Sequence, residues 1–422
     1  MKDYQPKGPQ MTNAHDREIV RELAKQVAEI ACLPVQEEKR KLWRKLNGLQ
    51  HTRPMVTIDQ VCWNEMDIDE ELTLRCVGPE CREYERDMRI TLFRWKHFPV
   101  DMVVDPFVRI PMVIERTGFG VGSEEEIAVT DPENSVVSHA YRNQFTSMED
   151  LEKIKTPRLK HDPVGSAERL HRAEELFGDI IEAKLVGVDP YLSVWDPISQ
   201  WMSVEGALYG LIDQPDLMHA IANRVTCGYL SMLDSAEEQG ILCQPQSLIH
   251  CTGAFTDELP SADYDPAAPK TKDIWMFGLA QMFSTVSPEM FDEFEVTYAT
   301  KLCKRFGLVY YGCCDPLDRK MDQVRKLPNV RKISMSPWAD QRRGAEEISA
   351  DYVFSRKPNP AFLAFESFSA GAVREDLQAT VAICKEYGCP LELILKDIST
   401  VRHDPQRLFQ WADIAMQVAL EA

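Results

Sequence analysis

Short apolar segments alternate with longer amphipathic segments through the second half of the chain. The short segments have the length and composition of buried strands, and they lie at 183–188, 245–249, 308–311, 332–335, 352–355 and 391–395. The longer segments have helical spacing or helix-starting residues, and they lie at 215–239, 275–283, 288–306, 317–326, 373–387 and 405–420. Such alternation predicts right-handed strand–helix–strand units with a parallel sheet, most economically a closed (β/α)8 TIM barrel.

The first hundred residues have a different pattern. Apolar positions at helical spacing over 15–32, followed by a strongly charged stretch at 36–46, predict two helices. These helices suit a helical arm or a contact between two copies of the chain, so a homodimer is one expectation. The predicted division is an N-terminal helical extension and cap over 1–100 and the barrel over 101–422.

Composition narrows the class of protein. The net charge is -19, and no cluster of Lys and Arg with interleaved aromatic residues occurs, so nucleic acid is not an expected partner. No apolar run approaches the roughly 20 residues needed to span a bilayer, and the chain opens on a polar segment rather than a signal peptide. We therefore expect a soluble cytoplasmic protein with no membrane partner. Its 12 cysteines follow no secreted framework, which makes them metal or catalytic candidates rather than disulfides.

Reactive side chains follow several of the predicted strands. Cys313 and Cys314 come after the strand at 308–311, His250 and Cys251 after the strand at 245–249, and Asp397 after the strand at 391–395. Because the carboxyl ends of parallel strands share one edge of the sheet, these side chains are expected to converge there.

A zinc site is one chemistry that this convergence allows. Zinc takes three or four nitrogen, sulfur or oxygen donors at ~2.0–2.3 Å. Alternate residues of a strand share a face, so Tyr311 and Cys313 are expected to point inward, which makes Cys313 a better ligand than Cys314. The remaining donors would come from His250, Cys251 or Asp397, with one of the adjacent pair His250 and Cys251 contributing.

Other residues are candidates for contact with substrate or ligands. Asp257 or Glu258 could orient an imidazole ligand. A catalytic role is predicted for Tyr311, Asp397 and Trp338. Contact with the substrate is predicted for Asp189, Trp195 and Lys357. Each has a structural alternative: a cysteine can be a small buried apolar group, Asp397 can pair with Lys357 or Arg402, and an aromatic residue can simply pack.

Several segments together resemble the uroporphyrinogen decarboxylase superfamily, which includes that decarboxylase and the corrinoid-linked methyltransferases. The segments are LNGLQHTRPMV (46–56), SPEMF (287–291), YYGCCDPL (310–317), RKPNP (356–360) and LKDISTVRHDPQRL (395–408). The decarboxylase branch has an Arg-Gln-Ala-Gly-Arg-like segment near its N-terminus, which this chain lacks. The methyltransferase branch binds zinc through His-x-Cys and a distant Cys. Here Tyr311 replaces the His, Cys313 retains the Cys, and Lys396-Asp397 stand near the distant position.

The resemblance implies a zinc-dependent methyltransferase. It would move a methyl group from a small methylated compound, first of all an O-methyl ether such as an aromatic one, to the cobalt of a corrinoid on a partner protein. Zinc would act as a Lewis acid on the leaving heteroatom or would hold a thiolate acceptor. Two alternatives stay open at this point. One is a metal-free decarboxylase or lyase in which Asp397, Lys357 and Arg356 handle carboxylates, and the other is a non-catalytic module that binds a corrinoid protein.

Overall fold

The computed structural model describes residues 13–129 and 137–422. Labelled in chain order, its helices are α1 (Ala14–Ala31), α2 (Pro34–Asn47), α3 (Pro79–His97), α4 (Pro163–Phe177), α5 (Trp195–Met202), α6 (Val204–Asp213), α7 (Pro215–Glu238), α8 (Pro288–Phe291), α9 (Thr297–Cys303), α10 (Met321–Val324), α11 (Gln341–Ile348), α12 (Ala361–Ala364), α13 (Ala370–Tyr387) and α14 (Gln406–Glu421). Its strands are β1 (Met55–Ile58), β2 (Phe107–Pro111), β3 (Ile114–Arg116), β4 (Glu125–Ala128), β5 (Ser138–Tyr141), β6 (Leu159–His161), β7 (Glu182–Val186), β8 (Tyr191–Leu192), β9 (Leu248–Ile249), β10 (Thr252–Gly253), β11 (Trp275–Gly278), β12 (Leu308–Tyr311), β13 (Val330–Met335), β14 (Val353–Arg356) and β15 (Leu391–Leu395).

A parallel sheet of seven strands organises the structure, in the order β1-β15-β14-β13-β12-β11-β8. All its neighbouring strands are parallel, and the first strand lies beside the last, with Met55 opposite Glu392. This confirms the predicted α/β class with a parallel sheet. Among the described residues no strand pairing joins β8 to β1, and β2 pairs separately with β7. The closed eight-stranded barrel therefore stays a prediction.

One predicted helix is a strand. The run at 275–283 begins with β11, which pairs with β12 on one side and with the edge strand β8 on the other. A 3-10 helix, Gln281–Thr285, begins in the second part of the run. A short apolar run has no periodicity that distinguishes a buried strand from a buried helix. Pairing with β12 and β8 makes this segment a strand.

The two faces of the sheet pack differently. Side chains such as Val309, Ile333 and Leu393 belong to the large core shared with the helices. The opposite face, called the inner face here, carries Tyr310 and Ile394 together with side chains of β11. The short β9–β10 hairpin packs against this inner face, since Ile249 and Cys251 belong to the same cluster.

A buried ion pair fixes the hairpin to the inner face. Lys332 of β13 and Glu392 of β15 are fully buried, with Nζ and Oε2 2.8 Å apart. Thr252 of the hairpin donates to the same carboxylate oxygen at 2.6 Å, and Lys332 donates to the Gly253 carbonyl at 3.2 Å. Each charge compensates the burial of the other. The hairpin tip, His250-Cys251, is thereby held on the inner face.

The N-terminal helices contribute a second core. The predicted helices over 15–32 and 36–46 occur as α1 and α2. α1 packs on α3 and α4, and its apolar side chains share a cluster with Ile110 of β2 and Phe177 of α4. This core therefore extends across the predicted division at residue 100.

Within the two described stretches, no helix combines the length and the apolar character required to cross a bilayer.

Candidate active site at the carboxyl edge of the sheet

The turn after β12 reverses the facing of the side chains that follow it. Gly312 has a φ of 89°, and a Cβ there would lie 2.6 Å from Leu317 Cδ1, so glycine alone fits. Because of this turn, Cys313 shares the inner-face cluster with Tyr310, while Tyr311 lies in the core on the helix side. The prediction that Tyr311 and Cys313 face the same way is wrong, because strand alternation ends at Gly312.

Two hydrogen bonds hold Cys313 in this turn. Its backbone N–H donates to Asp315 Oδ1 at 3.1 Å, and Ser334 Oγ of β13 donates to its carbonyl at 2.7 Å. Cys313 is buried, and its backbone is thus fixed on both sides. The fold therefore holds Cys313 on the inner face of the sheet.

The sulfur of Cys313 lies among three other reactive groups. Lys396 Nζ, from the end of β15, is 2.8 Å from Cys313 Sγ, and the same Nζ is 3.2 Å from His250 Nε2. Cys314 Sγ is 3.6 Å from Cys313 Sγ. We call Cys313, Cys314, His250 and Lys396 the thiolate cluster.

The neighbours of Cys313 favour its ionised form. A hydrogen bond from Cys314, with further ones from His250 and Lys396, lowers the pKa of Cys313 well below its ordinary value although burial opposes this. Burial disfavours a charged imidazole, yet hydrogen bonds with Cys251 and Cys313 raise the pKa of His250 to about 9. Despite burial, the nearby thiolate raises the pKa of Lys396. At neutral pH the cluster therefore combines a thiolate with two cations.

His250 is held in an unusual backbone conformation at the hairpin tip. Its φ is 52°, in the left-handed region that non-glycine residues rarely occupy. Its ring stacks on Phe277 of β11 with centroids 4.0 Å apart and 12° between the planes. Local strain of this kind is concentrated at functional sites.

Asp397 lies at the open side of the cluster. It is exposed, and its Oδ2 is 3.4 Å from Lys396 Nζ and 3.5 Å from Cys314 Sγ. The ion pair that it makes is with Lys396 rather than with the predicted Lys357 or Arg402. Asp397 is thus an exposed acid in contact with two members of the thiolate cluster.

The donors around Cys313 do not fit zinc as they stand. Two donors, Cys313 Sγ and His250 Nε2, converge on one point, and the ammonium of Lys396 is at that point. In the described part of the chain, no group of three or more His, Cys, Asp or Glu side chains could hold a metal ion. A catalytic zinc needs about three protein donors, so zinc at Cys313, Cys314, His250 or Cys251 stays a prediction.

Lys357, predicted to contact the substrate, is buried on the inner face. It donates to the Tyr310 hydroxyl and, at 3.0 Å, to Ser355 Oγ. Arg356 is buried too, and donates to the carbonyls of Ser336 and Lys357. Arg356 also pairs with Asp376 at 3.6 Å, although its Nε has no hydrogen-bond partner. The metal-free decarboxylase in which these two cations bind carboxylates stays a prediction.

The other predicted site residues are more scattered. Trp195 is fully buried and donates to the Phe294 carbonyl, so it is a core residue rather than a substrate contact. Trp338 is 74% exposed, and Asp189 is exposed and accepts from Gln246. The two acids predicted to orient an imidazole pair elsewhere, Glu258 with Arg331 and Asp257 with Arg44.

The sequence reading missed a pair of buried carboxyls below the turn. Tyr311 Oη donates to Glu295 Oε1 at 2.8 Å, while Glu295 Oε2 and Asp315 Oδ2 are buried without a hydrogen-bond partner. Burial raises the pKa of Glu295 to about 8. Glu295 lies in a π-helical turn, Asp292–Val296, and such turns are frequent at functional sites. The signal available in the sequence was Asp315 next to the two cysteines.

Comparison with known proteins gives a distant likeness in shape. No protein family matches the chain, and no curated protein matches its sequence. Among solved structures, a methyltransferase from Methanosarcina mazei is similar with a TM-score of 0.47 and 13% identity, over 90% of this chain and 97% of that chain. That similarity is too distant to transfer the role of any residue.

Proposed function

We propose that the chain is a methyltransferase with the thiolate cluster as its reaction centre. Its methyl donor would be a small methylated compound, and its acceptor the cobalt of a corrinoid carried by a separate protein. The observation that carries the proposal is the contact between Lys396 Nζ, Cys313 Sγ and His250 Nε2 at the carboxyl edge of a parallel sheet. The sequence resemblance described above supports methyl transfer as the reaction class.

His250 has the geometry and the charge of a proton donor. When a methyl group leaves a heteroatom, the bonding electron pair stays on that heteroatom, which then needs a proton. His250 is partly exposed and, with a pKa of about 9, protonated at neutral pH. In the proposed reaction His250 gives that proton to the leaving heteroatom. The corrinoid, when its protein is bound, would supply the cobalt nucleophile that takes the methyl group.

Cys313 and Lys396 have supporting roles in this scheme. The thiolate stabilises the protonated imidazole, and the ammonium holds the thiolate in place at 2.8 Å. Asp397, exposed beside Lys396, would contact the donor or the partner protein at the open side. Within this chain the scheme uses protons and charges of side chains, and it routes no step through zinc.

Methyl transfer can be measured directly. Cob(I)alamin is mixed with the protein and with ethers, methylamines or methylated thiols, and the spectrum of methylcobalamin is followed. We expect His250→Gln to lower the rate about 10²–10⁴-fold, the range for loss of a general acid. His171→Gln, on the exposed surface of α4, is the matched control. If no donor class supports methyl transfer, the non-catalytic binding module becomes the better hypothesis. If His250→Gln transfers methyl groups at an unchanged rate, the thiolate cluster is not part of the mechanism.

Metal content tests the zinc prediction separately. The purified protein and Cys313→Ser are analysed for zinc, with Cys227→Ser, an exposed cysteine, as the control. Zinc near one equivalent, lost only in Cys313→Ser, would mean that Lys396 leaves the position between Cys313 and His250. Zinc that is absent, or equal in all three proteins, would end the zinc prediction and leave the proton-donor scheme in place.

A further inference from the structure

A small cavity adjoins the thiolate cluster. Its volume is about 40 Å³, and its wall includes His250 and Cys251 of the hairpin tip, Thr57 and Asp59 at the end of β1, and Arg94 of α3. A water molecule accounts for roughly 30 Å³ of liquid volume. The cavity can therefore hold one small polar group of a ligand rather than a whole molecule.

Arg94 brings an unused cationic donor to this cavity. Its Nη2 donates to the Ile58 carbonyl, while its Nε is buried and has no hydrogen-bond partner. Within the described stretches, no carboxylate lies close enough to form an ion pair with Arg94, since every pair within 4.0 Å involves other cations. Arg94 is partly buried, and a buried N–H of a guanidinium without a partner is energetically unfavourable unless something else binds it.

The acids in the cavity wall do not neutralise Arg94. Both oxygens of Asp101 are taken by Arg53, at 2.6 and 2.8 Å. Asp59 makes no ion pair with Arg94, although it is near enough to favour the charged guanidinium. The cations in the wall itself are Arg94 and His250, and Asp59 is the wall acid that no ion pair in the described part of the chain compensates. The wall of the cavity thus favours an anionic group.

We propose that Arg94 binds the carboxylate of the substrate, so that the methyl donor is a small methylated carboxylic acid. A carboxylate matches both the cavity size and the forked geometry of a guanidinium. Arg94 and His250 line the same cavity, so an acid held by its carboxylate at Arg94 lies beside the proposed proton donor. That the bound acid is the substrate rests on the function proposed above, whereas binding of an anion at Arg94 does not depend on that function.

Acetate and acetamide form a matched pair of probes, since they have the same shape and differ in charge. Protein with ¹³C-labelled histidine is titrated with each compound, and the ring signal of His250 is assigned with His250→Gln. We expect acetate to shift that signal in a saturable way and acetamide to shift it much less. Arg94→Gln should weaken acetate binding at least about tenfold, because a hydrogen bond to a charged group is lost.

Two further variants control for net charge and for sign. Arg319→Gln removes an exposed cation away from the cavity wall and should leave acetate binding unchanged. Asp59→Asn removes the acid nearest to Arg94 and should strengthen acetate binding. Thermal unfolding of Arg94→Gln checks its fold, and if that variant is unstable, Arg94→Lys, which keeps the charge and loses the fork, should bind acetate with intermediate affinity.

The result that would overturn the proposal is equal binding of acetate and acetamide, or acetate binding that survives Arg94→Gln. This outcome is distinct from failure of the proposed function. Acetate binding without methyl transfer would uphold the anion site and reject the methyltransferase. Methyl transfer without acetate binding would uphold the methyltransferase and reject the anion site.

Discussion

Cysteines in this chain ionise differently because of their neighbours. Cys303 is fully buried, and burial raises its pKa far above the ordinary value. Cys313 is almost as buried, yet its contacts with Cys314, His250 and Lys396 lower its pKa. The difference follows from specific contacts with hydrogen-bond donors and cations rather than from exposure.

The rate at which iodoacetamide modifies Cys313 should therefore depend on Lys396. An ordinary thiol with a pKa of about 8.5 is under about 1% ionised at pH 6, whereas Cys313 should already be a thiolate there. In Lys396→Met the pH profile of modification, read by peptide mass spectrometry, should move upward by about one unit or more. Each profile is scaled to its own plateau, so burial of the sulfur does not affect the comparison. The Cys227→Ser variant should leave the profile of Cys313 unchanged, and a profile unaffected by Lys396→Met would contradict the proposed thiolate–ammonium contact.

Glu295 should make the protein less stable as the pH rises. Its pKa is raised from 4.5 to about 8 by burial. Between these values the folded chain keeps a proton that the unfolded chain has released, so the free energy of unfolding falls as the pH increases through this window. Glu295→Gln should unfold at a similar urea concentration at pH 5 and be more stable than wild type by roughly 1–3 kcal/mol at pH 9. Glu346→Gln, at an exposed position, is the charge-matched control, and the same pH dependence in wild type and Glu295→Gln would mean that Glu295 is ionised in its buried position.

At the scale of elements, two tight turns bring the reactive residues together. The turn at Gly312 directs Cys313 to the inner face, and the β9–β10 hairpin carries His250 to the same place from a distant part of the chain. Neither element is regular secondary structure over more than a few residues. Their precision comes from contacts with the sheet, such as the hydrogen bond from Ser334 to Cys313.

Three glycine variants separate backbone strain from steric contact. Gly312 has positive φ and would place a Cβ 2.6 Å from Leu317 Cδ1, Gly388 has positive φ with open space, and Gly371 in α13 has open space. We expect Gly312→Ala to cost about 2–4 kcal/mol, Gly388→Ala about 1 kcal/mol, and Gly371→Ala to be neutral or stabilising. Chemical denaturation gives the order, and equal costs at 312 and 388 would show that Leu317 moves aside easily.

At the scale of the whole molecule, the buried pair Lys332–Glu392 connects β13, β15 and the hairpin. The two residues are 60 positions apart in sequence, and Thr252 is a further 80 from Lys332. Lys332 also lies 5.0 Å above the Trp43 ring of α2. One charge pair thus contacts α2, the hairpin and the last strand.

Removing one member of this pair should be far worse than removing both. Lys332→Met leaves an uncompensated buried carboxylate and should cost about 3–5 kcal/mol. The double variant Lys332→Met/Glu392→Leu should recover most of that loss, as judged by urea unfolding. Arg342→Met, in an exposed pair with Glu386, should change stability by less than about 1 kcal/mol. A double variant no more stable than Lys332→Met would mean that packing, not charge, is what the pair supplies.

The sequence determined the elements with strong local signals. The strands at 308–311 and 391–395 have the predicted bounds, and the helices at 215–239 and 405–420 differ from the structure by about one residue. Hydrophobic period and terminal residues such as Pro215 and Pro405 fix these elements locally. The same local signals placed Cys313, His250 and Asp397 after strands, and in the structure Cys313 and Asp397 each contact Lys396, which was not among the predicted site residues.

Only the tertiary structure decided how those residues meet. The segment at 275–283 contains a strand because β8 and β12 are beside it, and the segment at 245–249 ends in a hairpin on the inner face. Gly312 placed Cys313 on the face of Tyr310 rather than on that of Tyr311, and Lys396 took the place between Cys313 and His250 that was expected for a metal. Contacts between residues this far apart in sequence depend on how the sheet and hairpin pack, which local periodicity does not encode.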